Sequence, residues 1–336
     1  MRIAIATQNK TSLDSTLEVA KAAERNGFES LWACENPYYR DAFATLSAVS
    51  VATTRIGLAT GIIPCYTRHP VLAAMGASAI SQDSGGRFSL GVGTGAVTTI
   101  RDQMGYRFDH PLQVLTEYVT IVRELLAGKK VTVSTPNYRI TNVALTTPPM
   151  QKVPVYVAAV GSKTLKMTGE TADGVLLDYG TSPYYVKHAV TQVVEAAKEK
   201  GRCKEDIDVA SLVWCSLSND RKKALELIKP ALAYLLSIPR LGEALLEGSS
   251  EDSALSAKLR EYYYPSGGKH DLMGAAKIVD EVTAKHLAVV GNRDDCVARL
   301  QDYYEAGLRL PVLVPMNDEM AFDIIDAFAA QTAPAI

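Results

Sequence analysis

One local pattern recurs along the chain and limits its fold more than any other feature. A helical stretch ends in glycine, and an apolar strand follows within a few residues. Asn26-Gly27 leads into Phe28 to Trp32, Gly85-Gly86 into Phe88 to Val92, and Asp173-Gly174 into Val175 to Leu177. Lys200-Gly201 leads into Ile207 to Val209, and Ala306-Gly307 into Pro311 to Val314. Glycine after a helix supplies the left-handed residue that ends it. Repeated helix–Gly–strand units mean β/α alternation and a mainly parallel sheet. The pattern predicts strands near 1–7, 29–34, 55–61, 87–93, 153–159, 174–178, 206–217 and 311–315. It predicts helices near 12–26, 40–52, 70–84, 109–127, 162–172, 183–200, 219–236, 293–306 and 319–330. Leu112, Leu115, Val119, Val122 and Leu126 share one face of the fourth helix. Eight strands alternating with helices describe an α/β fold, a (β/α)8 TIM barrel with insertions.

The chain has 336 residues, and a barrel of this kind needs only about 250. The excess falls at about 129–150, which alternates like a hairpin, and at about 237–290. The second excursion contains the break Tyr262-Tyr263-Tyr264-Pro265-Ser266-Gly267-Gly268. No composition shift marks a second domain, so residues 1–336 read as one. Lys+Arg number 35 against 37 Asp+Glu, so no basic surplus drives binding to nucleic acid. No apolar run is long enough to span a bilayer. The N-terminal run turns polar too soon for a signal peptide. Cys34, Cys65, Cys203, Cys215 and Cys296 are odd in number and scattered. That fits free thiols in a reducing cytoplasm and neither a disulfide framework nor a zinc site.

Active sites of such barrels lie at the C-terminal ends of the strands. Those ends read Thr7-Gln8, Cys34-Glu35-Asn36-Pro37, Gly61-Ile62-Ile63-Pro64, Gly93-Thr94-Gly95-Ala96, Ala159-Val160-Gly161-Ser162-Lys163 and Asp178-Tyr179-Gly180. The rim is rich in glycine and poor in strong acids and bases. It suits a flat cofactor that brings its own reactivity, since glycines let a ligand approach the backbone. Gly161-Ser162-Lys163-Thr164 opens a helix and reads as a phosphate site, or Ser162 is only its N-cap. Gly91-Val92-Gly93-Thr94-Gly95-Ala96 matches a loose dinucleotide fingerprint. No helix opens at once and no acid ends a following strand, so that reading is set aside. Arg68 binds an anion or is solvated near a helix start. His69 reads as a packed loop residue and Trp32 as core. Tyr262 to Tyr264 form a lid or pack the excursion.

The run Gly27-Phe28-Glu29-Ser30-Leu31-Trp32-Ala33-Cys34-Glu35-Asn36 resembles the second-strand motif of the bacterial-luciferase-like flavin and deazaflavin oxidoreductases. Ile56 to Ile62 with Arg68-His69-Pro70 is similar to the same family. So are Ser84 to Arg87 with Leu90 to Gly95, Gly161-Ser162-Lys163 with Ala172-Asp173-Gly174, and Val290-Gly291-Asn292 with Val297 to Leu300. Within it the chain looks most like the coenzyme F420-dependent methylenetetrahydromethanopterin reductases. The resemblance implies an enzyme that moves a hydride between F420 and a small organic substrate, and a homodimer. It implies a cis peptide at Gly61-Ile62 behind the cofactor ring. Gly61, Ile62, Gly93, Thr94, Ala159, Gly161, Ser162 and Lys163 would then hold the cofactor, with Glu35 and Asn36 as catalytic candidates.

Three departures bear on that picture. The family's acid–His pair is Glu35-Asn36 here, and Asn exchanges no proton near neutral pH. The Glu that relatives carry after the fourth-strand glycines is Ala96. The Glu near the end of their first strand is replaced within Ala6-Thr7-Gln8. Glu35 remains as an acid at the rim, either a proton donor or a hydrogen-bonding partner of its neighbours. Three other readings stand beside F420 chemistry: an FMN-dependent monooxygenase, a flavin-free reductase using a nicotinamide, and a catalytically silent cofactor-binding protein.

Overall fold

The computed structural model describes residues 1–247, 253–264 and 270–332. Eight parallel strands close on themselves: β1 Ala4–Thr7, β2 Ser30–Ala33, β3 Gly57–Thr60, β4 Phe88–Gly93, β5 Val155–Ala158, β6 Gly174–Leu177, β7 Asp208–Leu217 and β8 Leu310–Pro315. Each pairs with the next, and β1 pairs with β8 through Ala4↔Val312 and Ile5↔Leu313. Helices Leu13–Arg25, Ala42–Ala52, Pro70–Asp83, Pro111–Leu126, Ser162–Thr171, Pro183–Glu199, Arg221–Leu236 and Asp318–Thr332 surround the sheet. The expected (β/α)8 barrel is therefore the observed architecture.

Alternation along the strands sorts two cores. Ile3, Ile5, Leu31, Leu58, Leu90, Val157 and Val175 face outward into the helices. Ala4, Ala6, Trp32, Ala59, Tyr156, Leu176, Ala210 and Val312 fill the barrel interior. Trp32 is core, as expected, and meets the Tyr156 ring edge-on at 5.2 Å. Small Ala and Gly residues on neighbouring strands leave the space those two rings occupy. The base is closed by ion pairs: Arg2 donates to both carboxylate oxygens of Glu29 and of Asp208, and the Tyr156 hydroxyl donates to Asp208 at 2.8 Å. The opposite, C-terminal mouth is where barrels of this kind place their chemistry.

Strand β7 runs ten residues, longer than its neighbours. Its outer end pairs in parallel with Val289–Gly291, as in Cys215↔Val289. Helices Leu241–Leu245, Ser253–Tyr262, Leu272–Ala276 and Glu281–Leu287 precede that short strand. Their apolar residues merge with the barrel's inner core. Val131–Ser134 and Arg139–Val143 form an antiparallel pair before β5. The stretch Pro265-Ser266-Gly267-Gly268 lies outside the described residues. Among the described residues, no helix is long and apolar enough to cross a membrane.

Candidate active site

The mouth is shaped first by an irregularity between β3 and β4. The register runs Leu58↔Phe88 and Ala59↔Ser89, then resumes as Ile63↔Val92 and Pro64↔Gly93. One extra residue is therefore extruded from the β3 side, a β-bulge at Gly61-Ile62. The Gly61–Ile62 peptide is cis. Thr60 repairs the interrupted ladder. Its hydroxyl donates to the Gly91 carbonyl at 2.8 Å and accepts from the Gly91 amide at 2.9 Å. The bulge lays the Ile62 side chain over the strand-4 glycines. A Cβ on Gly93 would stand 3.1 Å from Ile62 and 3.0 Å from the Ala158 methyl, and one on Gly91 would collide with the Thr60 carbonyl. These glycines thus serve close packing inside a strand. A short helix, Thr98–Gln103, begins soon after them, which corrects the expectation that no helix opens there.

Glu35 and Asn36 stand beside this bulge, with the Glu35 amide donating to the Ile62 carbonyl at 3.3 Å. The Glu35 carboxylate accepts from Arg68 at 3.1 Å, and the same guanidinium nitrogen reaches Asp41 at 2.6 Å. The guanidinium lies 4.7 Å above the Phe43 ring. Arg68 is therefore neither a free anion binder nor a solvated cation; two carboxylates and an aromatic face occupy it. Burial pushes the Glu35 carboxyl up, and the Arg68 charge offsets part of that shift. Asn36 accepts the Tyr38 amide through its side chain at 3.1 Å and shapes the turn that follows. Glu35, Asn36, Pro37, Tyr39, Asp41, Pro64, Thr67 and Met104 enclose a cleft of about 150 Å³. Its outer wall is exposed loop, tied across by the Tyr38 hydroxyl donating to Gln103 at 2.6 Å. His69 caps helix Pro70–Asp83 and packs edge-on against Tyr138, the loop role expected of it.

The floor of the mouth is aromatic. Tyr179, just past β6, stacks on Trp214 of β7 at 4.9 Å, and its hydroxyl lies 3.3 Å from the Cys34 sulfur beyond β2. Burial, first of all, pushes the Cys34 thiol up to about 11. Asn9 pins the same strand end by donating to the Cys34 carbonyl at 3.1 Å. Asp178 stands one pleat above Leu176, and Leu176 lies 3.8 Å from a Cβ built on Gly61. The Asp178 carboxylate accepts the Tyr179 amide at 2.8 Å. Burial pushes its pKa up, with the Tyr179 amide as the one opposing influence. The rim therefore carries a second strong acid beside Glu35, which corrects the expectation of Glu35 alone. The strand end Asp178-Tyr179-Gly180 had already placed it on the rim.

Across the mouth, Ala159 is buried and its amide donates to the Leu176 carbonyl at 3.1 Å. Gly161 is the N-cap of helix Ser162–Thr171, and no side chain caps that start. Ser162 is the first helical residue, so its capping role falls away. Gly161, Ser162 and Lys163 are exposed, and a Cβ on Gly161 would meet nothing within 4 Å. An uncapped helix start with open space before it is suited to an anion. Thr94 is half-buried beside Gly93, its hydroxyl donating to the Gly95 carbonyl at 3.3 Å. Tyr263 packs between Tyr234 and His270, at 6.0 and 6.1 Å, so this tyrosine of the triplet is packing and not a free lid.

The chain is 30% identical to the 5,10-methylenetetrahydromethanopterin reductase of Methanolobus tindarius over 91% of its length and 92% of the relative's. The coenzyme F420-dependent tetrahydromethanopterin reductase structure from Methanopyrus kandleri superposes with a TM-score of 0.86 at 27% identity, over 98% of this chain and 97% of that one. An F420-dependent secondary alcohol dehydrogenase shares the fold alone, at a TM-score of 0.81 and 21% identity over 99% of both chains. Residues 1–310 match the family described as luciferase-like monooxygenases. With the barrel, the strand-end glycines and this match in hand, the chain belongs to the luciferase-like family of oxidoreductases.

Proposed function

We propose that this chain is a coenzyme F420-dependent oxidoreductase, acting on a small organic substrate in the manner of the methylene-pterin reductases. The observation that carries the reading is the Gly61-Ile62 bulge, which packs Ile62 onto Gly91 and Gly93 and leaves that apolar side chain half-buried at the mouth. A flat ring can rest one face against such a side chain. The residues present also fit the cofactor's other end: the uncapped helix start at Gly161, Ser162 and Lys163 suits its phosphate. When bound, the deazaflavin would supply the hydride; the protein supplies placement, which for such a transfer means reacting atoms about 3–3.5 Å apart. In this reading Gly61, Ile62, Gly93, Thr94 and Ala159 line the ring side. Asn36 and Glu35 shape the adjoining wall, with Glu35 held by Arg68. The cleft beside them is smaller than the ~300 Å³ at the low end of small-molecule sites.

Residues 1–336 are read as one luciferase-like unit with insertions near 129–150 and 237–290. We assign it to the reducing cytoplasm on its five free cysteines. The active form is read as a homodimer, because helices Ala42–Ala52 and Pro70–Asp83 present apolar residues outward. FMN is the second reading, favoured by the monooxygenase description of the family. Titrating the purified chain with F420 and, separately, with FMN decides between them. Quenching of cofactor fluorescence with micromolar F420 affinity is expected. Micromolar binding of FMN with none of F420 would overturn the assignment.

A further inference from the structure

We propose that Asp178 is the acid that exchanges a proton with the bound reactants at the floor of the mouth. The inference rests on the oxidoreductase reading above and adds the residue that completes its proton balance.

Three observations converge on it. Asp178 is the first residue beyond β6, two along from inward-facing Leu176, and its neighbour Tyr179 stacks on Trp214 in the floor of the mouth. It keeps accessible surface although protein surrounds it. It lies near enough to Cys34, beyond β2, for its charge to raise the Cys34 thiol. The titratable groups that its charge reaches are Cys34, its neighbour Tyr179, Tyr185 of helix Pro183–Glu199 and Tyr234 of helix Arg221–Leu236. None is a cation, and among the described residues no ion pair involves Asp178. Glu35, by contrast, is held by Arg68. A carboxyl group sheltered without a counter-charge favours its neutral, proton-bearing form. Of the two acids at the mouth, Asp178 is the one without a cation beside it among the described residues.

The chemistry requires a proton. Reduction of a methylene bridge between two nitrogens adds a hydride to the bridge carbon, breaks one carbon–nitrogen bond and puts a proton on the nitrogen released. A bound reduced cofactor would supply the hydride, with its two electrons, and one proton. Asp178 would give its proton to the released nitrogen and, as carboxylate, take up the proton from the cofactor. Two hydrogens move in all, and Asp178 ends as it began.

The test uses Asp178→Asn and Asp178→Glu in the full chain. Carbon-13 NMR of aspartate-labelled, cofactor-free protein should show one carboxyl titrating well above the ordinary aspartate range, absent from Asp178→Asn. F420 affinity of Asp178→Asn should stay within a few-fold of wild type. Its turnover with F420 and a methylene-tetrahydropterin should fall about 10²–10⁴-fold, the usual worth of a positioned acid. The alkaline limb of the pH–rate profile should vanish with it, and Asp178→Glu should restore part of the rate. A carboxyl titrating near 4, or an Asp178→Asn enzyme with unchanged rate and pH profile, overturns the proposal. Absence of F420 binding in the wild type would defeat the F420 reading instead, and the NMR titration would still decide the protonation of Asp178.

Discussion

At the residue scale, the mouth depends on side chains that stand in for backbone. Thr60 is fully buried and closes the ladder that the bulge interrupts, making two hydrogen bonds to one glycine. Thr60→Val keeps the shape and loses both bonds, leaving the buried Gly91 amide and carbonyl unpartnered. A loss of about 2 kcal/mol is expected, given the ~1–3 kcal/mol penalty of an unsatisfied buried group. Thr60→Ser keeps the hydroxyl and should cost less. Urea unfolding of the three proteins measures the difference; equal stabilities for Val and wild type would show that the repair contributes nothing. This scale was the least legible in the sequence. Glycines at 61, 91 and 93 were visible as a glycine-rich rim, and Glu35-Asn36 as the end of a strand. That Arg68 would hold Glu35, or that Asp178 would stand without a cation, depends on side chains brought together from distant strands. No local spacing records that.

At the element scale the sequence was far more explicit, because strand and helix periods are local. The strand expected at 55–61 and the helix expected at 109–127 appear as Gly57–Thr60 and Pro111–Leu126. What the period does not record is the extra residue at Gly61-Ile62, since a bulge changes register without changing composition. Helix faces carry one more message. Ala42–Ala52 contains no charged residue and Pro70–Asp83 only Asp83. Helices apolar all round are ordinarily covered on every side. Yet Val51 is 76% exposed, Leu72 51% and Met75 56%. Leu72, Met75 and Ala79 fall on one outward stripe, and Ala44, Ala48 and Val51 on its neighbour. A second copy of the chain covers such a patch in the homodimer proposed above. Light scattering should give twice the 36.2 kDa chain mass. The double variant Leu72→Glu, Met75→Glu should run as a folded monomer, because both side chains already reach solvent. A wild-type protein of single-chain mass would remove the dimer.

At the scale of the whole molecule, the two ends of the barrel are electrically opposite in design. At the base, Arg2 binds Glu29 and Asp208, while Arg123 and Lys152 bind Asp173 just before β6. Desolvation raises the Asp208 and Asp173 carboxyls, but these cations and amides outweigh it and hold both below the ordinary range. At the mouth, burial wins and both Glu35 and Asp178 are raised. Linkage turns that polarity into a pH dependence. A carboxyl depressed on folding stabilises the protein fully above its unfolded pKa of about 4 and loses that contribution as pH falls through the folded value. Melting temperature should therefore drop steeply below about pH 4. Asp208→Asn, which keeps the shape and removes the charge facing Arg2, should lower the melting temperature at pH 7 and flatten the acid slope. The raised mouth acids act in the opposite sense, binding protons more tightly in the folded state, so their ionisation costs stability as pH rises. Asp178→Asn should accordingly leave the melting temperature at pH 8 unchanged or higher. Thermal melts of the two variants from pH 3 to 8 separate the ends. If Asp208→Asn and Asp178→Asn shift the curve in the same direction at pH 8, the opposition between the paired base acid Asp208 and the mouth acid Asp178 is wrong.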